Sequence, residues 1–304
     1  MSIRPVKRVM QSRPTLEGAG VHLRRGFGGH SPDLDPFLLF DDFRNDNPDE
    51  YLAGFPWHPH RGIETITYVL AGTVDHGDGL GNRGTLKDGD VQWMTAGSGI
   101  IHQEMPKGDE QGRVHGFQLW TNLPSSLKMT APRYQGISGA DVPEVTDDDG
   151  TKVRIVCGSF WGATGPVEGI AADPRYLDVS VPPGRRKTLP VEHSQHAFAY
   201  VFAGSGTFRN ASDPREVTTD RLGATGAVIP GAMSEETTNR SLVVFDSGDE
   251  ITVQAGDMGI RFLLVSGKPI EEPVAWYGPI VMNTEEELRQ AFSELQQGTF
   301  IKSR

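Results

Sequence analysis

What the chain has little of narrows its class before any motif is read. It holds a single cysteine, Cys157, in 304 residues, so no disulfide can close within the chain and a reducing compartment is expected. Cys157 ends the alternating run Val153-Arg154-Ile155-Val156-Cys157 and reads as a small buried hydrophobe rather than a nucleophile. No stretch reaches the roughly 18 apolar residues of a membrane-spanning helix, and Met1 to Arg8 lacks the apolar centre of a secretion signal. A cytoplasmic protein without membrane attachment is the expectation. Positive charge is scarce too: 29 Lys and Arg stand against 40 Asp and Glu, a net charge of −11. With no long basic run, direct nucleic-acid binding is not expected.

Turn formers are plentiful, with 37 Gly and 21 Pro, and the hydrophobic pattern runs mostly at the two-residue period of β-strands. Ile63, Thr65, Thr67 and Val69 place β-branched residues on alternate positions, a strand by propensity and by pattern. Asp35-Pro36-Phe37-Leu38-Leu39-Phe40-Asp41-Asp42-Phe43 is an apolar run bracketed by acids and suits a buried strand. Residues 71 to 90 read as turn-rich hairpin ground, with Asp78-Gly79 and Asp88-Gly89 as turn pairs, and His76 within it is read as structural. Residues 136 to 151 lack apolar periodicity and carry Asp147-Asp148-Asp149, which marks a boundary or surface loop. A weak internal repeat aligns His60 to Gly72 with His196 to Gly204, each a His followed by a β run ending Tyr-Val-x-Ala-Gly. Near the end, Thr284-Glu285-Glu286-Glu287 is a capping box, with Leu288, Phe292 and Leu295 along one face of a short helix.

Against this background one constellation carries chemistry. His58-Pro59-His60 and His102-Gln103-Glu104 are pairs spaced by two, and on a strand such pairs point to one face. If the two strands are neighbours, three imidazoles and one carboxylate converge into a shell for a transition metal. Glu64 lies an even number of residues from His60, so parity leaves it as a rival carboxylate. Gly62, Gly97 and Gly99 permit the bends that convergence needs. With no thiolate in the set, a structural zinc cluster is disfavoured and an imidazole and carboxylate site with open positions is favoured. In the second half Glu192-His193 and His196 are crowded without the His-x-His pair. Gly223 to Pro230 resembles the approach to residue 102 with no His or Glu following it, so no metal is expected there.

The same residues carry a family resemblance. His58-x-His60, Glu64 and Gly72, then Gly89 through Gly97 and His102, resemble the two-motif pattern of the cupins. The chain resembles one branch, the pirins, more closely, in Asp35-Pro36-Phe37-Leu38-Leu39, His58-Pro59-His60-Arg61-Gly62 and Trp93-Met94-Thr95-Ala96-Gly97. His102-Gln103-Glu104-Met105-Pro106, His115-Gly116-Phe117-Gln118-Leu119-Trp120 and Pro132-Arg133-Tyr134 continue it. Ser266-Gly267-Lys268-Pro269, Glu272-Pro273-Val274 and Tyr277-Gly278-Pro279 extend it through the second half. The resemblance implies an all-β bicupin of two antiparallel β-barrels of jelly-roll type with a short C-terminal helix. The domains would be 1–135 with metal, 136–282 without, and the helix and tail at 283–304.

It further implies iron, as Fe(II) or another divalent transition metal in its place, on His58, His60, His102 and Glu104, with Glu64 and His115 orienting the ligands from behind. Trp57, before the first His, departs from the family pattern and is expected to reshape the cavity mouth. The activity implied is a quercetin 2,3-dioxygenase type ring cleavage of a flavonol-like small molecule with O2. In that reading Glu104 also takes the substrate hydroxyl proton as general base. Pirin relatives equally imply a metal- and redox-dependent regulator acting through a protein partner, and a cupin isomerase is a third, weaker alternative. A monomer is expected.

Overall fold

The computed structural model describes residues 1–208, 218–222, 228–231 and 236–302. Within the stretch Gly223 to Pro230, Gly223 to Ala227 lie outside the described residues. The chain is a jelly-roll all-β protein, and Glu285–Gln296 is the one α-helix among the described residues.

Two compact units are present, and their membership is interleaved along the sequence. One comprises Pro14–His30, Pro36–Asp141 and Ile270–Arg304; the other comprises Met1–Arg13, Ser31–Asp35 and Val142–Pro269. These units do not coincide with a division at 135 and 282, and strand pairing gives the reason. Val6–Gln11 pairs antiparallel with Ser241–Phe245, while Ile280 bridges to Arg61. Each terminal segment is thus claimed by the sheet that supplies its backbone hydrogen bonds.

The unit holding 36–141 is built from two sheets. Seven strands run in the order Arg133–Ile137, Val91–Thr95, Ile63–Ala71, His115–Asn122, Phe37–Asp42, Val21–Gly28, Arg13–Glu17. Four strands run Phe55–His60, Ile100–Lys107, Thr73–Asp78, Arg83–Leu86. Strand parity sorts the faces. Thr67 and Gln118 are directly opposite one another and point toward the smaller sheet, where both reach Glu104. The alternate residues Tyr68, Phe117, Phe40 and Phe27 form a row of aromatic contacts across four strands on the other face, with ring centroids 5.7 to 6.4 Å apart. The apolar run expected to be a buried strand is one: Phe37–Asp42 is buried at every position.

Residues 71 to 90 contain more regular structure than their turn content suggests. Thr73–Asp78 and Arg83–Leu86 pair as a hairpin, and the Asp78 carboxylate accepts from the backbone N–H of Leu80 and Asn82 to close the turn. A side chain that mimics a backbone acceptor lets a tight turn keep strands on both sides.

The segment that returns after residue 270 is tied to the first unit at its core. The guanidinium of Arg61 is buried; it donates to the carbonyls of Ser98 and Phe300, pairs with Glu294 at 2.8 Å and lies over the Phe300 ring. The helix starts as the sequence dictates: Thr284 accepts from Glu287 N–H while the Glu287 carboxylate accepts from Thr284 N–H. Leu288 and Ala291 are buried against Ile280 and Met282, with Phe292 and Leu295 packed on the same cluster.

The other unit is centred on an eleven-stranded sheet. The internal repeat is visible in its backbone. Ile63–Ala71 and His196–Thr207 each lie between two partner strands, and the glycine of each Ala-Gly pair, Gly72 or Gly204, has a positive φ of 76° or 65°. Its core, however, is apolar: Val153, Ile155, Leu177, Val179, Ala199, Val201, Phe262 and Leu264 are among the residues that fill it. The crowded histidines here have other partners. His193 Nδ1 lies 3.0 Å from the Asp249 carboxylate, and His196 Nδ1 donates to the Asp35 carbonyl at 2.8 Å.

Candidate metal centre

Register brings the ligand pairs together. Phe55–His60 and Ile100–Lys107 run antiparallel with His102 directly opposite His58. His60 shares the face of His58 by parity, so all three rings enter one space. Their ring centroids are 4.8, 4.5 and 5.0 Å apart, and one nitrogen from each lies within 4.8 Å of the others. The bend that follows is a glycine requirement. Gly62 has φ +76°, donates its N–H to Gly97 O at 2.8 Å, and sits so close to the 280–282 strand that a Cβ would meet Val281 O. Lys128, itself buried, donates to Gly62 O, Val281 O and Asn122 Oδ1 and pins the same turn.

The hydrogen bonds of the rings fix their tautomers. His58 Nδ1 lies 2.9 Å from Pro56 O, and His60 Nδ1 lies 3.3 Å from Pro279 O. A carbonyl accepts only, so each Nδ1 carries the proton and each Nε2 presents a lone pair. These two Nε2 atoms are 3.0 Å apart. In neutral rings of this tautomer neither Nε2 has a proton to donate, and the two lone pairs converge on a common electrophile. His102 is buried, and neither of its ring nitrogens has a hydrogen-bond partner among the described residues. Buried polar atoms are almost always partnered, and here a metal ion is what the donor set fits. Three imidazoles with a carboxylate close by suit a first-row divalent ion with positions left open.

Electrostatics agree. Burial holds His60 well below the ordinary imidazole range, helped by the neighbouring His102 and His58, and burial brings His102 down to about 4. Both rings are therefore neutral, as ligands must be. Burial raises the Glu104 carboxyl, but His102, His58 and hydrogen bonds from Gln118 and Thr67 outweigh it and hold the group below its usual range.

Glu104 is buried opposite His76 on the neighbouring strand. Its carboxylate accepts from Thr67 Oγ1 at 3.0 Å and from Gln118 Nε2 at 3.0 and 3.2 Å. The group of ligand atoms within 4.8 Å comprises the three histidines, and Glu104 stands beside them, oriented by these two donors. Gln118 is itself oriented, because its Oε1 accepts from Trp120 Nε1 at 3.0 Å. Trp120 in turn sets its indole edge-on to His60 at 5.0 Å. Thr67, Gln118 and Trp120 were not singled out in the sequence. The available signal was polar residues on the inward parity of buried strands, which composition alone does not separate from ordinary strand threonine and glutamine.

Glu64 and His115 are placed elsewhere. Glu64 alternates to the face opposite Thr67, and its Oε1 accepts from Thr95 Oγ1 at 2.7 Å. His115 packs edge-on to Phe117 at 5.1 Å with its Nε2 3.8 Å from Asp42. His76, read as structural, lies in a strand, with its Nε2 3.0 Å from Gln92 Nε2. Trp57 is half exposed.

A cavity of about 930 Å3 opens onto His58 and His60 and is walled by Leu39, Phe55, Trp120, Trp276 and Tyr277 with Gln118 between. A jelly roll with three converging histidines that could hold a metal ion, two of them lining such a cavity, is the arrangement of a cupin. The sequence matches the pirin family over residues 20–121 and the pirin C-terminal cupin domain over residues 176–301, and the chain belongs to the pirin family. A pirin-like protein of Caulobacter vibrioides is 42% identical over 99% of this chain and 100% of its own length. A Pseudomonas aeruginosa protein named "Putative quercetin 2,3-dioxygenase" is 41% identical over 97% of each. The crystal structure of a quercetin 2,3-dioxygenase from Acinetobacter baumannii superposes with a TM-score of 0.83 at 28% identity, covering 98% of this chain and 99% of that one.

Proposed function

We propose that this protein is a metal-dependent dioxygenase that opens a flavonol-like ring with O2, in the manner of a quercetin 2,3-dioxygenase. The single observation that carries the reading is the pair of converging Nε2 lone pairs of His58 and His60, which line a substrate-sized cavity, beside the His102 ring, whose nitrogens have no hydrogen-bond partner among the described residues. A regulator that signals only through its surface has no need of a ligand-sized cavity on its metal. Relatives and structural neighbours named as quercetin dioxygenases support the same choice.

In this reading His58, His60, His102 and Glu104 hold the metal, Fe(II) in preference to other divalent ions. Those residues would hold the ion, and it would supply the positive charge that acidifies a chelating 3-hydroxy-4-keto group and the redox chemistry toward O2. The remaining work belongs to the chain. Glu104 is ionised, aimed by Thr67 and Gln118, and accepts the substrate hydroxyl proton at hydrogen-bond range. Trp120 and Trp276, in contact with each other at 6.2 Å between centroids, form an aromatic wall of the cavity beside the histidines that packs against the substrate and keeps water from the reacting edge. The Pro56 and Pro279 carbonyls hold the His58 and His60 rings in the one tautomer that can ligate.

The test is anaerobic loading of metal-free protein with Fe(II), followed by quercetin and oxygen. Flavonol loss with stoichiometric carbon monoxide release is expected. No turnover above free iron, with one metal bound per chain, overturns the dioxygenase reading.

A further inference from the structure

The cavity has a second chemical character away from the histidines. Arg25 and Asp41 sit opposite one another on adjacent strands, and Asp41 sits opposite Gln118 on the next. Strands are about 4.8 Å apart. From Gln118, which touches Glu104, Asp41 is therefore displaced by roughly 5 Å and Arg25 by roughly 10 Å along the sheet. Both line the cavity, together with Glu17 and Glu285.

The guanidinium that lines this wall among the described residues is already neutralised. Arg25 Nε and Nη2 donate to the two Asp41 oxygens at 2.8 Å each, and Nη2 also meets Glu17 at 2.8 Å. One cation therefore meets two carboxylates, those of Asp41 and Glu17, and Glu285 and His30 line the same cavity. A buried carboxylate bonded in a two-pronged way to an arginine still has acceptor positions left. Such a wall accepts hydrogen bonds and repels negative charge.

We infer that the cavity selects a flat aromatic ligand whose end away from the metal-binding group carries hydrogen-bond donors and no negative charge, with Asp41 and Glu17 as the residues that read it. Packing against the wall that Trp120 and Trp276 form explains the aromatic requirement. The acidic wall explains the hydroxyl requirement, because an unsubstituted ring leaves the carboxylates without a donor and an anionic ring is opposed outright. The inference rests on the three histidines being a metal centre that faces a substrate.

The experiment is a binding measurement that needs no turnover. Zinc-loaded protein is titrated without oxygen at pH 8, above the value of about 6 to which burial raises the Asp41 carboxyl. Tryptophan quenching is followed with three flavonols that share the chelating 3-hydroxy-4-keto group. Kaempferol has one hydroxyl on its pendant ring, galangin has none, and the third probe carries a carboxylate there. Kaempferol is expected to bind at least tenfold more tightly than galangin, and the carboxylate a hundredfold more weakly than kaempferol. Asp41→Asn is expected to recover at least tenfold in affinity for the carboxylate probe. Should that variant lose its fold, Glu17→Gln, at a partly exposed site, is expected to shift the same ratio in the same direction.

Equal binding of all three probes, or preference for the carboxylate that Arg25→Met abolishes, overturns the inference even if turnover is intact. Absence of binding by every probe also overturns it. The expected ranking without turnover leaves the inference standing and removes the dioxygenase reading alone.

Discussion

The Nε2 atoms of His58 and His60 face each other at 3.0 Å while the opposite nitrogen of each ring is committed to a proline carbonyl. This geometry is unfavourable for two neutral rings in isolation. It follows from strand parity plus two backbone acceptors, one two residues away and one supplied by the segment that returns after residue 270. The site is thus preorganised for an ion by groups that never touch it.

The ligand assignment is checked by metal content. His102→Ala is expected to reduce bound metal from one per chain to a small fraction after dialysis, since it removes a ring whose nitrogens have no other hydrogen-bond partner among the described residues. His115→Ala, whose ring packs on Phe117, is expected to retain it. Metal analysis of the two proteins side by side decides. Full occupancy in His102→Ala sinks the assignment.

Orientation of Glu104 gives a second outcome. Gln118→Met and Thr67→Val each remove a donor to the carboxylate. If Glu104 completes the shell, each variant weakens metal affinity by about 10- to 100-fold, read by competition with a chelator of known affinity. Unchanged affinity in both would place Glu104 outside the shell.

Acid sensitivity of the metal-free protein follows from His102, with a folded value of about 4 against an ordinary 6.5. Between these values the unfolded chain binds a proton that the folded one refuses. The stability at stake is fully present above 6.5 and is lost as pH falls toward 4, on the order of 3 kcal/mol. Asp41, raised to about 6, acts in the opposite sense: its contribution is full below its unfolded value and is lost as pH rises through 6. Urea unfolding of wild type and His102→Gln without metal, at pH 7.5 and pH 5, isolates the histidine. The wild type should lose more stability on acidification than the variant; parallel curves refute it.

Arg61 tests the anchoring of the C-terminal segment. Arg61→Met removes the buried donor of two carbonyls and one partner of Glu294, which keeps Lys302 at 2.9 Å and Gln290 at 3.0 Å, and a loss of about 2–3 kcal/mol is expected from the unsatisfied buried acceptors. Denaturant titration measures it, and limited proteolysis should show earlier cleavage in 285–302. A loss below 1 kcal/mol contradicts the anchoring role.

Gly62→Ala combines backbone strain with a Cβ driven against Val281 O. A cost of at least about 2 kcal/mol is expected, from left-handed strain of roughly 1–2 kcal/mol plus the clash. Gly136→Ala is the control, because a Cβ there meets nothing within 4 Å. Equal midpoints for the two variants would show that the turn is not constrained.

The sequence by itself determined which side chains are the metal ligand candidates and that each pair shares a face, because strand parity is a local property of the chain. It also determined the helix start, since a capping box is four consecutive residues, and the repeat that ends in Gly72 and Gly204. Tertiary structure alone decided the rest. Glu64 and Glu104 are both even steps from a histidine, yet cross-strand register turns one toward Thr95 and the other toward Thr67 and Gln118. Pro279 reaches His60 across 219 residues of sequence, and the segment after residue 270 joins the unit of Pro36–Asp141, skipping the one that immediately precedes it, because its hydrogen-bond partners are there. Such contacts depend on which strands become neighbours, and no short-range periodicity encodes that choice.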